Sequence, residues 1–470
     1  MKEKKHVHLT AICGMGMGSF AGLLKLAGYE VTGSDQNVYP PMSTQLEQMG
    51  VTIKNGYKPE NVDDEPSMVI VGNAIKSGNP EIQAVMERGI PYMSFPQALK
   101  EYFLKGKKSL VVAGTHGKTT TSSILAWILQ SAGRDPGFLV GGILHNFESS
   151  YKLGQGPHFV VEGDEYETAF FDKVPKFVHY QPSSAIITSI EFDHGDIYRD
   201  IEHIKDAFTR FTRLIPPEGL LMACGDFPHV KDILSQAPCR VETYGYCSDC
   251  DWTAREVYMN GETSEFIALF RGREIGSFIT RLPGRHNIQN ALGAIALLYR
   301  EGLTVEEIRE GLRTFVGVKR RQEVRAVIDG VVIIDDFAHH PTKVRETVAA
   351  IRSRYQGRRI WAIFEPRTNT SRRAFFQKDY ALSFEGADKV IVAGVFNPGQ
   401  IHPEDRFSPE SLINDLVDKG KDALFISRSD DIVQHVTSAI KPGDVILIMS
   451  NGGFDAIHEK FVTSLNKVLA

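Results

Sequence analysis

Two short glycine-rich loops, each between an apolar strand and a helix, have the residue types that bind phosphate groups. In the second loop, backbone N–H groups can surround phosphate oxygens, Lys118 can reach the β and γ oxygens, and the Thr119 hydroxyl can bind Mg²⁺. The strict motif has glycine at position 112, where this chain has valine, but the Gly-Lys-Thr triplet and its flanking elements remain. We therefore predict a nucleoside triphosphate site formed by Gly114, Thr115, His116, Gly117, Lys118, Thr119 and Thr120.

Carboxylates suited to a metal ion follow two apolar strands downstream of this loop. Glu162 ends the strand HFVVE, and Asp193 and His194 end the next strand. Parallel strands end on the same rim of a sheet, so these side chains are expected to face the phosphate loop. Glu162 is the best candidate for a Mg²⁺ ligand, with Asp164 and Glu165 as neighbours. A solvated acidic loop and a structural histidine are the alternatives.

The first glycine loop consists of Gly14, Met15, Gly16, Met17 and Gly18. Its helix would present free N–H groups to a diphosphate. Asp35 lies 19 positions after Gly16, at the end of the second strand, where an acid can reach a ribose hydroxyl. The match to a dinucleotide motif is incomplete because Ser19 replaces the third glycine. The sequence therefore predicts a dinucleotide or a nucleotide sugar, and the alternative is a turn whose small residues only allow close packing.

Two separate phosphate sites limit the possible functions. A simple oxidoreductase needs only the first site, and a simple kinase or ATPase needs only the second. A chain with both is expected to use ATP to activate a substrate that itself carries a phosphorylated group.

Length and composition describe an ordinary globular protein. The 470 residues are 42% hydrophobic and 24% charged, which suggests about three domains of roughly 150 residues each. The net charge of −5 argues against nucleic acid or an anionic membrane as a partner, and no apolar run approaches the roughly 18 residues that span a bilayer. Five cysteines indicate a reducing cytoplasm, and a zinc or redox role for the isolated Cys247-x-x-Cys250 pair is disfavoured.

Strands and helices alternate through most of the chain, which predicts α/β domains built on parallel sheets. We expect a Rossmann-like domain over residues 1–107, a central P-loop ATPase-like domain over 108–318, and a doubly wound, Rossmann-like domain over 319–470. The expected strands include HFVVEGD and AIITSIEFD, and the first helix is expected to include FAGLLKLAG.

Several motifs, in order along the whole chain, resemble those of the Mur ligases, the ATP-dependent amide-forming enzymes of peptidoglycan synthesis. They are GTHGKTTT, the strand ending in Glu162, the FDH with His194, RHNIQN, the KRRQE with Arg321, and DDFAHHPT. GTHGKTTT and DDFAHHPT resemble the branch that acts on UDP-N-acetylmuramate. The stretches VYPPMSTQLE, EGDEYETAFFDK, KFVHY, FEPRTNT and MSNGGF resemble members that join this sugar nucleotide to recycled L-alanyl-γ-D-glutamyl-meso-diaminopimelate.

The resemblance implies a ligand for each domain. The first domain would bind the UDP end of the substrate, with Asp35 near the uridine or its ribose. The middle domain would bind ATP, with Asn287 and Asn290 on the adenine side and His286 nearby, although the residues alone are equally consistent with a helix cap. Arg321 and Asp336 would reach the nucleotide phosphate and ribose from the third domain.

The resemblance also implies a mechanism through an acyl phosphate. Lys118 and a Mg²⁺ ion held by Thr119 and Glu162 would neutralise the first transfer, and a second Mg²⁺ near His194 would bridge the γ-phosphate and the carboxylate. His340 would contact the incoming amine or the acyl phosphate, unless it only caps the helix at Thr342. Loops after two strands of the third domain would recognise the anionic peptide. Their candidate residues are Arg367, Asn369, Ser450 and Asn451.

The chain departs from the family pattern at three positions. Many members carry a carbamoylated lysine fourteen residues after the FDH histidine, where this chain has Phe208. No carbamate is therefore expected, and the muramate–alanine branch shares this absence. Gly163 and Glu167 stand where alanine and aspartate are expected.

Three other functions compete with the tripeptide ligase. A close relative of it would add free L-alanine to UDP-N-acetylmuramate. A nicotinamide-dependent oxidoreductase would bind NAD at the first glycine loop, and a non-catalytic ATP-dependent switch would use only the second. We expect small-molecule substrates, no nucleic acid or membrane partner, and a monomer or weak homo-oligomer.

Overall fold

A computed structural model of the chain describes residues 5–38, 42–193, 195 and 197–468. In this part of the chain the strands form three large sheets, which follow one another in sequence, and one short hairpin. No helix among the described residues is long and apolar enough to cross a membrane.

The first sheet is parallel, and its strand order is β3-β2-β1-β4-β5. Its strands are β1 His6–Thr10, β2 Glu30–Asp35, β3 Thr52–Asn55, β4 Met68–Val71 and β5 Tyr92–Ser94. The accompanying helices are α1 Met15–Leu26, α2 Met42–Gln48, α3 Pro80–Glu87 and α4 Phe95–Leu99. The order reverses between β1 and β4, so the glycine loop after β1 lies at the switch point, where ligands bind in such sheets.

The second sheet has the order β17-β16-β15-β14-β13-β12-β6-β9-β7-β8, parallel from β15 to β7 and antiparallel at both edges. Its strands are β6 Lys108–Ala113, β7 Gly137–Leu144, β8 Ser149–Leu153, β9 His158–Gly163, β12 Ser184–Ile187, β13 Leu220–Cys224, β14 Arg240–Gly245, β15 Trp252–Met259, β16 Ser264–Phe270 and β17 Arg273–Thr280. A separate hairpin joins β10 Glu167–Ala169 and β11 Asp172–Pro175. The helices are α5 Lys118–Ser131, α6 Ile201–Thr212, α7 Pro228–Lys231, α8 Arg285–Arg300 and α9 Val305–Thr314.

The third sheet has the order β18-β19-β23-β20-β21-β22, and only β18 is antiparallel to its neighbour. Its strands are β18 Glu323–Ile328, β19 Val331–Asp336, β20 Ile360–Phe364, β21 Lys389–Val392, β22 Asp422–Phe425 and β23 Val445–Met449. The helices are α10 Pro341–Arg354, α11 Gln377–Tyr380, α12 Pro409–Asp418, α13 Ser429–Ala439 and α14 Ile457–Val468. Separate apolar clusters on the two faces of the sheet show that it is doubly wound.

The first and second sheets share one continuous apolar core. Helix α1 lies so close to β8 that a Cβ at Gly22 would overlap the ring of Tyr151. Ser19 and Ser150 are joined by a hydrogen bond of 2.7 Å across the same contact. The glycine loop at the start of α1 is therefore held directly beside the second sheet.

The predicted α/β class with three domains is confirmed, but two elements differ from prediction. The strand expected to continue to Asp193 ends at Ile187, because Thr188 and Ser189 turn to the phosphate loop: the Thr188 hydroxyl donates to Ala113 O, and Ser189 Oγ accepts the His116 N–H. The first helix begins at Met15, inside the glycine loop. The domain boundaries at 107 and 318 stay predictions.

A buried carboxylate organises the interior of the first sheet. Glu81, in α3, is fully buried and accepts hydrogen bonds from Ser34 and Asn61, each 2.6 Å long. His8 Nε2 lies 3.0 Å from the same carboxylate. These contacts join β1, β2 and α3 to one another.

Replacement of Glu81 by alanine should destabilise the protein by about 3 kcal/mol, because it leaves the buried polar groups of His8, Ser34 and Asn61 without their acceptor. Urea unfolding followed by far-ultraviolet circular dichroism would measure the loss. Glu87→Ala, at the exposed end of the same helix, is the matched control and should change stability little. Equal effects of the two substitutions would contradict this account of Glu81.

Candidate functional site

The rims of the three sheets surround one cleft with a volume of about 410 Å³. Its walls come from the loops after β1, β6, β9 and β19 and from the start of α8. Residues from the parts of the chain that form each of the three sheets line the cleft, among them Gly16, Lys118, Glu162, Asn290, Arg321 and Asp336. The cleft therefore brings together most of the candidate residues that the sequence identified separately.

The phosphate loop has a backbone that requires glycine at two positions. Gly114 and Gly117 have φ values of +138° and +82°, which L side chains rarely adopt. A Cβ at Gly114 would overlap Thr188, and one at Gly117 would lie 2.6 Å from Asn290 Oδ1. Gly117 precedes α5 directly, so the helix N-terminus and its free N–H groups face the cleft.

Lys118 carries a buried positive charge into the loop. Its ammonium group donates to Gly114 O at 2.5 Å and to Glu165 Oε2 at 2.7 Å. Burial works to lower the pKa of Lys118, but the nearby carboxylates of Glu165 and Asp164 outweigh it, and the pKa is raised. Lys118 is therefore a permanent cation that an incoming phosphate can share with these acids.

Thr119 and Glu162 form an oxygen-rich pair beside this cation. The Thr119 hydroxyl donates to Glu162 Oε2 at 3.2 Å, and the Gly141 N–H donates to the other carboxylate oxygen. Burial raises the pKa of Glu162, against the opposing effects of Gly141 and Lys118. A hydroxyl and a carboxylate in contact at the phosphate loop fit the oxygen ligands that Mg²⁺ prefers. His194, the third predicted metal ligand, lies outside the described residues.

The start of α8 provides amide groups beside an apolar part of the cleft. Gly284 is the N-cap, so the asparagines lie within the helix and do not cap it. Asn287 donates to Pro283 O at 2.7 Å, and Asn290 lies 3.4 Å from the Asn287 side chain. Burial lowers the pKa of His286 to about 4, so its ring is neutral at pH 7. Apolar neighbours on the wall are Leu282, Phe315 and Val318.

Arg321 and Asp336 enter the cleft from the third sheet. Arg321 lies 3.4 Å from the Thr119 hydroxyl, and its guanidinium is 4.6 Å from the centre of the Phe337 ring. Asp336 accepts the N–H groups of Gln322 and Ala338, both at 2.8 Å. Burial raises the pKa of Asp336 and lowers that of Arg321. Arg321 therefore reaches the phosphate loop. Asp336 stabilises its own surrounding loops through these two hydrogen bonds, and a contact of Asp336 with a ribose stays a prediction.

The first glycine loop contributes its leading residues to the cleft. Met15 and Gly16 line the wall beside Phe95, and Gly14 precedes the helix as its N-cap. The Met17 side chain belongs to the apolar core.

Gly18 and Asp35 support this loop from behind. A Cβ at Gly18 would overlap Met42, so this position packs against α2. Asp35 accepts the N–H groups of Cys13 and Asn37, each at 2.9 Å. Met17, Gly18 and Asp35 thus shape the loop, and any contact of theirs with a nucleotide stays a prediction.

His340 has both ring nitrogens engaged. Nδ1 accepts the Thr342 N–H at 3.3 Å and so caps α10, and Nε2 donates to Phe192 O at 3.2 Å. Its ring lies 4.5 Å from that of His116, which contacts Glu191 at 3.0 Å. Burial lowers the pKa of His340, in agreement with a neutral ring. The cap that the sequence offered as the alternative is formed, and a contact with the amine stays a prediction.

The loops after β20 and β23 meet at the rim of the third sheet. The Arg367 guanidinium lies 3.7 Å from the centre of the Phe396 ring, and a Cβ at Gly452 would overlap the Arg367 side chain. Arg367 and Ser450 both donate to Glu365. This packing fixes the plane of the guanidinium.

Asn369 and Asn451 lie in the same two loops. Asn369 accepts a hydrogen bond of 2.7 Å from Arg372. Asn451 has a buried side-chain oxygen with no hydrogen-bond partner among the described residues. Since a buried acceptor without a donor is costly, Asn451 is suited to receive a donor from a ligand.

Sequence reasoning missed several residues that line or support the cleft. They are Phe95, Lys176, Gln322, Phe337 and Lys343. Lys176 pairs with Asp164 at 2.7 Å, and Phe337 lies inside DDFAHHPT, a motif already singled out. The position of Phe337 directly after a strand was an available signal, whereas Phe95 and Lys176 reach the cleft only through tertiary packing.

Three α/β domains around a cleft lined by a Gly-Lys-Thr loop are typical of a multidomain nucleotide-dependent enzyme. Family models match this chain in order: the catalytic domain of the Mur ligase family over residues 6–106, the Mur ligase middle domain over 112–298, and the Mur ligase glutamate ligase domain over 320–452. The chain belongs to the Mur ligase family and is an ATP-dependent ligase that forms amide bonds. This confirms the predicted resemblance and excludes the oxidoreductase and the switch.

Named relatives match almost the whole chain. It is 39% identical over 462 residues to the UDP-N-acetylmuramate–L-alanyl-γ-D-glutamyl-meso-2,6-diaminoheptandioate ligase of Haemophilus influenzae, covering 98% of this chain and 99% of that protein. It is 34% identical over 465 residues to the UDP-N-acetylmuramate–L-alanine ligase of Acetivibrio thermocellus, covering 97% of this chain and 96% of that protein. The crystal structure of a murein peptide ligase from Psychrobacter arcticus is 36% identical, with a TM-score of 0.73 over 99% of this chain and 100% of that chain.

The neutral state of His286 should be measurable as a pH dependence of stability. The unfolded chain binds a proton at His286 near pH 6.5, but the folded protein does so only near pH 4, so acidification between these values favours unfolding. From pH 7 to pH 5 the His286→Gln variant should therefore lose about 2 kcal/mol less stability than the unmodified protein.

Urea unfolding at the two pH values would test this difference. His229→Gln, which replaces an exposed histidine, should lose as much stability as the unmodified protein. If His286→Gln loses as much stability between pH 7 and pH 5 as the unmodified protein and His229→Gln do, His286 is not buried in its neutral form.

Proposed function

We propose that this chain joins the lactyl carboxylate of UDP-N-acetylmuramate to the free α-amine of the alanyl residue in L-alanyl-γ-D-glutamyl-meso-diaminopimelate, with hydrolysis of ATP to ADP and phosphate. The observation that carries the proposal is the cleft in which the first glycine loop, the phosphate loop and the loop after β19 meet. The 39% identity to the ligase of Haemophilus influenzae supports the choice of these substrates.

The chemistry requires two anions to approach each other. The substrate carboxylate attacks the γ-phosphorus of ATP to give an acyl phosphate and ADP, and the amine then displaces inorganic phosphate. Lys118, which contacts Gly114 O, and the N-terminus of α5 would stabilise the charge on the transferred group. Arg321, which reaches the Thr119 hydroxyl, adds a second fixed cation from the third sheet.

The proposal includes Mg²⁺ and a nucleotide orientation. Thr119 and Glu162 would hold the ion, which would offset phosphate charge when bound. The adenine would lie against Leu282 and Phe315 beside the amides of α8, since a flat base fits an apolar wall with a few polar groups. The diphosphate of the sugar nucleotide would lie at Gly16 and the start of α1.

The loops after β20 and β23 favour a peptide over free alanine as the amine substrate. The Arg367 guanidinium packs against both Phe396 and Gly452, which restricts its orientation and suits a bidentate contact with a carboxylate. Asn451 supplies an acceptor nearby. A tripeptide with three carboxylates has groups for these partners, and alanine has one. We place the reaction in the cytoplasm, where ATP and UDP-linked sugars are available, and propose a monomer or weak homo-oligomer.

The amine specificity gives a direct prediction. With ATP, Mg²⁺ and UDP-N-acetylmuramate present, the tripeptide should release phosphate with a kcat/KM at least about 100-fold above that of L-alanine, because two unmade charged contacts cost roughly 1.5 kcal/mol or more each. Phosphate release measured separately with each amine checks this.

A reaction without UDP-N-acetylmuramate is the control for uncoupled hydrolysis and should release little phosphate. Faster release with L-alanine than with the tripeptide would assign the chain to the alanine-adding branch.

Arg367 should determine the affinity for the peptide. Arg367→Ala should raise the KM for the tripeptide by about 10- to 100-fold, the effect of a lost charged hydrogen bond, and leave the KM values for ATP and UDP-N-acetylmuramate nearly unchanged. Steady-state kinetics with each substrate varied in turn would show this.

Two further variants test the geometry. Gly452→Ala should also raise the tripeptide KM, because its methyl group displaces the guanidinium. Arg428→Ala, whose side chain is 74% exposed at the start of α13, is the control and should leave all KM values unchanged. An unchanged tripeptide KM in Arg367→Ala would remove Arg367 from the peptide site.

A further inference from the structure

The turn between β14 and β15 contains a cysteine pair with no part in the chemistry above. The sulfurs of Cys247 and Cys250 are joined as a disulfide, and their Cα atoms are 5.4 Å apart, a separation that suits such a bond. The sequence alone disfavoured a role for this pair. The structure places it on the same rim of the second sheet as the phosphate loop, since β6, β12, β13 and β14 run parallel.

The two sulfurs lie directly on the backbone at the end of β13. A Cβ at Gly225 would lie 2.5 Å from Cys250 Sγ and 2.8 Å from Cys247 Sγ. Cys250 is buried, at 7% exposure, whereas Cys247 is partly exposed. Cys247 is therefore the more accessible residue of the pair.

Asp226 connects this turn to the start of α8. Its carboxylate accepts the N–H groups of Cys247, at 2.7 Å, and Tyr246, at 2.8 Å. The same carboxylate accepts a hydrogen bond of 2.5 Å from the Gln289 side chain. Gln289 lies in α8 between Asn287 and Asn290, the two residues on the nucleotide side of the cleft.

A second connection runs through Tyr246. Its hydroxyl donates to Arg285 O at 3.0 Å, and the Arg285 guanidinium lies 4.1 Å from the centre of the Tyr246 ring. Arg285 is the first residue of α8. The conformation of the turn is therefore coupled at two points to the first turns of the helix that carries His286, Asn287 and Asn290.

We propose that Cys247 and Cys250 are a reversible thiol–disulfide pair whose oxidation strengthens nucleotide binding by fixing the first turns of α8. The nucleotide part of this inference rests on the proposed function. The disulfide restricts the turn and holds the N–H groups that position Asp226, and Asp226 holds Gln289. Reduction makes the turn more mobile, and the first turns of α8 become more mobile with it. A nucleotide that binds to the reduced protein must then order these turns, and the free energy of that ordering weakens its binding.

The exchange needs only a low-molecular-weight thiol–disulfide couple such as glutathione. The thiolate of the accessible Cys247 attacks the small disulfide, one small thiol leaves with its proton, and a mixed disulfide forms. The Cys250 thiolate then attacks the Cys247 sulfur and releases the second small thiol. The protein loses two electrons and two protons, and the small disulfide gains both.

The other three cysteines are poor competitors for this exchange. Burial raises the pKa of the thiols of Cys13, Cys224 and Cys239, and that of Cys13 reaches about 11, so little thiolate is present at neutral pH. None of them is paired in the structure.

The experiment compares the full-length protein equilibrated with reduced or oxidised glutathione. After alkylation of free thiols, mass spectrometry should show Cys247 and Cys250 unmodified and linked in the oxidised sample, and both alkylated in the reduced sample. Calorimetric titration with ADP and Mg²⁺ should give a Kd about fivefold lower for the oxidised protein, a typical size for coupling between sites.

Three variants isolate the cause. The double variant C247S/C250S should bind ADP with the reduced-form Kd under both conditions. Gln289→Ala should still form the disulfide but show a smaller difference in Kd, because one of the two connections to α8 is cut. Cys239→Ser, at a cysteine outside the pair, should behave as the unmodified protein.

Several results would overturn the proposal. One is a pair that stays reduced in oxidised glutathione, and another is an equal Kd for ADP in both states. Stoichiometric zinc that protects both thiols until a chelator is added would show that the two sulfurs, with Asp226 nearby, form a metal site instead. If neither form binds ADP, the proposed nucleotide site itself fails, which is a different outcome from equal binding.

Discussion

The buried charge of Lys118 is the interaction on which the site depends. An ammonium group away from water is stable only when anions surround it, and Glu165, Asp164 and Glu162 provide that surrounding. The same carboxylates would repel an incoming triphosphate if the cation were absent. The positive charge of Lys118 is thus compensated by carboxylates before any ligand binds. A phosphate can then replace a carboxylate as the partner of Lys118.

This balance extends across the boundary between the second and third sheets. Arg321 reaches Thr119, and Thr370 and Thr342 donate to Asp193 and Glu191 at 2.6 Å and 3.0 Å. Aromatic rings also meet at this boundary, where Phe192 packs against Phe375 and Phe376. Among the described residues, however, no continuous apolar core joins the second and third sheets as one joins the first and second. Polar contacts between domains are readily exchanged for contacts with ligands, so the third domain is the one best suited to move as substrates bind and products leave.

Close backbone approach is the second constraint on the site. Gly117 lies against Asn290, Gly452 against Arg367, and Gly225 against the cysteine sulfurs. In each case a functional side chain occupies the space that a methyl group at the glycine position would need. Glycine is therefore needed at these positions for the space it leaves as much as for its backbone freedom.

The site could be predicted from the sequence where the chemistry is local. The Gly-Lys-Thr triplet, a strand ending in Glu162 and the RHNIQN segment each carry their information within a few residues, because strand periodicity, turn chemistry and phosphate recognition act over short distances. The α/β class followed from the same local alternation of strands and helices. The family resemblance then indicated which of these segments belong to one reaction.

Side-chain partners could not be predicted in this way. Whether His340 faces a substrate or caps its own helix, whether Asp35 and Asp336 bind ligands or backbone N–H groups, and where Arg367 is held depend on residues distant in sequence. The link from Cys247 through Asp226 to Gln289 joins the loops after β14 and β13 to helix α8, three segments that are distant in sequence. The sequence by itself determined which chemical groups are present and on which rim they lie, and only the tertiary structure decided which of them are already bonded to one another, because hydrogen bonds and burial depend on distances that the order of residues does not contain.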